Sequence, residues 1–157
     1  MRRMVTSKAK TSARDLLARD VYLNLVRVHE RLTADFAELF RGAGLTFAQY
    51  NVLRILLGGP KEGAPCQYIG ERLLNRVPDV TRLLDRMQAA GLLSRSRGAE
   101  DRRVVLVRIS AKGARLCRGL EHPVMDLHRR QLAGLSARSL AALNEGLEEV
   151  LALPEPA

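Results

Sequence analysis

Between Leu92 and Ile109 the chain stops repeating like a helix and begins to alternate like a strand. The segment "LLSRSRGAEDRRVVLVRI" places apolar runs on either side of a polar knot, and Val105, Val107 and Ile109 alternate with Val104, Leu106 and Arg108. Successive strand residues point to opposite faces, so the pattern reads as a β-hairpin. Its tip carries an acid followed directly by two arginines, Asp101, Arg102 and Arg103.

Elsewhere the apolar residues keep helical spacing. Ala18, Val21, Leu25, Val28, Leu32, Phe36 and Leu39 form one face of a long first helix, which "RGAG" ends because Gly42 and Gly44 leave helical geometry at little cost. In "LTFAQY", Thr46 and Gln49 make a capping box flanked by a Leu45–Tyr50 staple, predicting a second helix to about Leu57. "GGPKEGAP" reads as a loop, and Cys66, Ile69 and Leu73 share a face of a short third helix. A fourth begins within "NRVPD", with Pro78 in its first turn, and closes at Gly91. Its Val80, Leu83, Leu84 and Met87 form a buried stripe, so Asp79, Arg82, Asp85 and Arg86 look outward. Ser110 caps a fifth helix carrying Leu116, Leu120, Val124 and Leu127, which Pro123 is expected to kink or divide. Ser136 caps a sixth, where Leu140, Leu143, Leu147 and Val150 are spaced as in a coiled coil.

A chain of 157 residues is long enough for one domain with a real core. Its net charge of +9 favours a polyanionic partner, while 4% aromatics and no Trp supply few stacking platforms for single strands. Duplex DNA or a protein surface suits it better. The apolar runs fall short of a membrane span and the opening "MRRMVTSKAKTSAR" lacks a signal-like apolar segment, so a cytoplasmic protein is expected. Cys66 and Cys117 stand far apart with no Cys-x-x-Cys partner, which indicates two buried thiols in place of a zinc knuckle or a disulfide.

The order α-α-α-α-β-β-α-α has a winged helix-turn-helix at its middle, whose outward helix can enter a major groove. The expected fold is mainly α with a small β-hairpin wing. It is one domain, 1–157, with a winged helix-turn-helix over 45–109 and helical regions over 12–42 and 110–152, whose apolar stripes are long enough to be expected to bury one another in a dimer. Arg82 and Arg86 are long enough for guanine edges or phosphates. On an extended chain Asp101 and Arg103 share a side, so the carboxylate can orient the guanidinium for a narrow minor groove while Arg102 points away.

The stretches "LTFAQYNVLRIL", "RVPDVTRLLDRMQAAGLLSRS" and "EDRRVVLVRISAKG" resemble the MarR family of bacterial transcriptional regulators. The resemblance is in register from Leu45 to Leu116; the flanking helices match in length and pattern only. It implies a homodimer with interlocking terminal helices, two winged domains on an inverted repeat, and often a small ligand that weakens binding, here an anionic or phenolic one. It also implies DNA contacts at Pro78, Asp79, Thr81, Arg82 and Arg86, a minor-groove role for Arg103 and a supporting one for Asp101; Arg76, just upstream, is expected to meet backbone, and Arg102 is counted with the DNA-binding residues of the tip. Neither cysteine lies near the start of the first helix, where peroxide-sensing relatives carry theirs.

The resulting expectation is a DNA-binding repressor without a cofactor. A winged-helix adaptor for a protein partner is the rival reading. No Ser/His/Asp set, phosphate loop or paired carboxylate supports an enzyme. His122 and His128 do not share a helix face, and "HERLT" at His29 lacks the second histidine of a zinc-protease helix, so no metal is expected.

Overall fold

A computed structural model describes residues 11–75, 77–98 and 103–154; Arg76, Asp101 and Arg102 lie outside the described residues. The chain divides into two compact units, Met1–Asp35 and Phe36–Ala157. The first unit holds the opening of helix α1 (Ala13–Gly42), where the Ser12 amide donates to the Asp15 carboxylate at 2.9 Å and the Asp15 amide donates back to Ser12 Oγ at 3.1 Å. Leu17 and Tyr22 in this stretch remain largely exposed.

In the second unit α1 ends at a nested pair of hydrogen bonds, Leu45 N–H to Phe40 O and Gly44 N–H to Arg41 O, with Gly44 at φ +72°. That backbone conformation favours glycine, and the turn aims the chain into α2 (Phe47–Leu57). Both halves of the Thr46/Gln49 capping box form. The core gathers Phe40, Val52, Leu53, Ile69, Leu84, Met87, Val107 and Cys117, with Tyr50 stacked on Phe40 at 4.4 Å between ring centroids.

"GGPKEGAP" is not only a loop. Its end forms strand β1 (Ala64–Pro65), which pairs antiparallel with a later strand and leads directly into α3 (Cys66–Arg72). A two-residue strand shows no alternation, since only its ladder partners define it. After α4 (Val80–Ala89) come β2 (Leu93–Arg97) and β3 (Val105–Ile109), giving a three-stranded sheet in the order β1-β3-β2. The hairpin therefore rests on a third strand, with Ala64 opposite the buried Val107.

Pro78 is not in the first turn of α4. Asp79 is the cap, its carboxylate accepting from the Arg82 amide at 2.9 Å, which places Pro78 one residue outside the helix. Gly91 closes α4 as expected, at φ +70°, with Leu92 N–H bonded to Met87 O. Helix α5 (Ala111–Gln131) runs through Pro123 undivided. The ring removes the donor that would meet Gly119 O, but Gly119 is exposed and water can take that place. Cys117 is buried as expected, whereas Cys66 is only half-buried, at the first position of a short peripheral helix. Helix α6 (Ala137–Leu151) is capped by Ser136 and buries none of its residues. No helix among the described residues is long and apolar enough to cross a membrane.

Candidate nucleic-acid interface

Ten residues of α4 carry two opposed faces. Leu83, Leu84 and Met87 are buried in the core, with Val80 half-buried beside them. Helical spacing then turns Arg82, Asp85 and Arg86 outward, and all three are exposed. Together with Val77, Pro78 and Asp79 they line an open concavity of about 550 Å³. Four of the residues singled out from sequence, Pro78, Asp79, Arg82 and Arg86, thus come together on one surface. Thr81 is exposed, but its Oγ1 lies 4.0 Å from Cys66 Sγ, on the flank of α4 that meets α3.

The two acids on this surface are occupied within the protein. Asp79 caps the helix and stands 4.0 Å from Arg82 Nε. Asp85 forms an ion pair with Arg95 of β2, whose guanidinium also reaches the Thr81 carbonyl at 3.5 Å. The Arg82 side chain is 83% exposed. With the carboxylates engaged, the surface presents a helix N-terminus flanked by two guanidinium groups, an arrangement that attracts phosphate and base acceptors.

Beside α4, the hairpin is ruled by five β2–β3 pairings from Leu93–Ile109 to Arg97–Val105, and Gly98 N–H donates to Val104 O at 2.9 Å. Arg97 and Arg103 are exposed where the hairpin narrows. Sequence reasoning passed over Arg95 and Arg97. The signal was the two-residue period of β2, which puts both on the face of the buried Leu93. The histidines stay apart: His122 Nδ1 lies 2.8 Å from Asp126 Oδ2 on α5, and the His128 ring sits 4.8 Å from Phe36.

Three helices, a short third strand and a basic hairpin beside an outward helix define a winged helix-turn-helix fold. The profile of the MarR family matches residues 43–104. A MarR transcription factor structure from Planctomyces limnophilus is 40% identical, with a TM-score of 0.65 over 83% of this chain and 94% of that one. This chain belongs to the MarR family. A solved mutant MarR from E. coli complexed with operator DNA is 26% identical, with a TM-score of 0.72, covering 86% of this chain and 93% of that one. The homoprotocatechuate degradative operon repressor of Escherichia coli is 25% identical over 129 residues, 82% of this chain and 86% of that protein. The chain spans about half the length of the curated relatives it matches at 34% identity.

Proposed function

We propose that this protein is a homodimeric repressor that binds an inverted repeat in duplex DNA, with α4 in the major groove and the β2–β3 wing in the minor groove. The observation that carries the reading is the outward pair Arg82 and Arg86 on α4, beside a hairpin that exposes Arg97 and Arg103. The similarity to a structure solved with operator DNA supports the DNA-binding part of this reading. Pro78, Asp79, Thr81, Arg82 and Arg86 take the major-groove side, with Thr81 at its margin. Arg76, Asp101 and Arg102 enter the proposal from the sequence alone, Asp101 as the support for Arg103. Two such units on a twofold axis read half-sites about one helical turn, roughly 34 Å, apart.

The test separates reading from positioning. Against a duplex selected by the protein from a random library, Arg82→Ala relaxes preference inside the half-site and costs about 1–3 kcal/mol if it meets a base edge. Arg103→Ala flattens preference only at the A·T-rich flanks and lowers the salt slope by about one. A wild-type protein with no salt-dependent affinity for any duplex overturns the reading in favour of a protein adaptor.

The repressor is proposed to answer to a small anionic or phenolic effector. A cleft of about 300 Å³ combines apolar Leu56, Val107 and Ile109 with Lys61, Arg108 and Arg118, and Arg108 Nε is held on the Glu62 carbonyl. Such a lining suits a single ring bearing a carboxylate. Aromatic acids should raise the melting temperature and weaken operator binding together; a broad panel doing neither removes the effector from the proposal.

A further inference from the structure

The Asp85–Arg95 pair takes no part in the groove contacts above, yet it stands where the recognition helix and the wing are joined. Leu93, Arg95 and Arg97 share one face of β2, and along it Leu93 is buried, Arg95 half-buried and Arg97 exposed. Arg95 therefore marks the point at which the apolar core gives out and the hairpin departs. Its guanidinium grips successive turns of α4, donating to the Asp85 carboxylate and to the Thr81 carbonyl. Its side chain is 25% exposed, against 83% for Arg82, so it is turned into the protein and away from any phosphate.

We infer that Arg95 and Asp85 form a latch fixing the angle between α4 and the wing, which makes Arg95 a positioning residue for DNA binding that touches no DNA. The inference rests on the DNA-binding reading above. Two elements that must enter two grooves of one duplex bind best when their mutual angle is set beforehand; a loose wing has to be ordered at the moment of binding, and that cost is subtracted from affinity. A planar guanidinium spanning a carboxylate and a carbonyl fixes an angle in a way that a point charge does not. The latch also determines a sign. Asp85 lies between Arg82 and Arg86 on the outward face, so simple electrostatics has Asp85→Asn strengthen binding to a polyanion. The latch requires it to weaken binding.

The experiment is a double-mutant cycle on the full chain, with affinity for a duplex selected by the wild-type protein measured at several salt concentrations. Asp85→Asn and Arg95→Gln should each weaken binding about tenfold, and the double variant no further than either single one. The salt slope should stay at the wild-type value, because no phosphate contact is lost. Arg95→Lys should recover only part of the loss. Hydrogen exchange in the free protein supplies a readout without DNA: in Arg95→Gln the outer rungs Ser96–Leu106 and Arg97–Val105 should exchange faster while Leu53 and Leu84 keep their protection. Additive single effects, a slope lowered by about one, tighter binding by Asp85→Asn or an unchanged hairpin each overturn the latch. If the wild type binds no duplex, the DNA reading fails instead, and hairpin exchange alone still decides whether the latch exists.

Discussion

A β-carbon at position 113 would lie 2.2 Å from the Leu92 carbonyl oxygen and 3.1 Å from side-chain carbons of Ile109 and Leu53. The carbonyl belongs to the entry of β2 and cannot swing aside as a flexible side chain would. Gly113→Ala should therefore cost about 1–3 kcal/mol in urea unfolding, the usual range for forcing a methyl into a filled core. Cys117, one helical turn further on, carries a second prediction. Burial pushes its thiol above the ordinary 9.0, with the nearby Glu121 carboxylate adding to the rise and Arg54 opposing it. Burial raises the Tyr50 hydroxyl in the same way. In each case the folded chain holds the proton more tightly than the unfolded chain, so the contribution is complete below the unfolded value and is lost as pH rises through the folded one. Stability should fall above about pH 9, and Cys117→Ala should lower the plateau through its cavity while making that alkaline limb shallower.

Helix α4 is ten residues long, too short to persist without its ends and its packing. Asp79→Ala removes the acceptor of the Arg82 amide and should cost about 1 kcal/mol, whereas Asp79→Ser, which keeps a capping oxygen, should cost little. At the other end, Ser110 Oγ donates to Gly91 O at 2.7 Å and accepts from Gly113 N–H, while Lys112 Nζ donates to Ala90 O at 2.9 Å. One hydroxyl thus caps α5 and satisfies the end of α4. The sequence made these helices legible because apolar spacing, caps and closing glycines are local signals. It named Thr46, Gln49, Gly91, Ser110 and Ser136 for the roles they hold. The outward turn of Arg82 and Arg86 was legible for the same reason. What local pattern could not show was pairing across elements. Ala64–Pro65 becomes a strand through Val107 and Leu106, Gly113 is required above all by the Leu92 carbonyl, and Asp85 is engaged by an arginine ten positions away. Pro78 was misplaced by one element boundary because proline suits the residue before a cap as well as the first turn.

Among the described residues outside the winged region, several large apolar side chains are exposed. Helix α6 is 15 residues long and buries none of them, with Leu143 at 47% and Val150 at 50% exposure. Along α1, Leu17 and Tyr22 are 64% and 66% exposed. A 15-residue helix without tertiary cover is marginal in water, so the stripe that makes α6 amphipathic has to be buried against something to hold the helix. The homodimer we propose supplies that cover, and closed twofold symmetry lets the same stripe serve on both copies. The dimer makes stability depend on concentration: dilution should lower the melting temperature of the wild-type chain, because the folded state gains from association and the unfolded state does not. Replacing Leu143 and Leu147 together with Asp sets charges into the stripe and should give a monomer or an insoluble chain, read by sedimentation velocity. Loss of the dimer should also cost far more affinity for a full inverted repeat than for a single half-site, since the second domain no longer binds as part of the same molecule. A double variant that stays folded, soluble and dimeric at micromolar concentration would show that α6 does not hold the two halves together, and one that turns monomeric yet binds the full repeat like the wild type would show that the repeat is not read by a dimer.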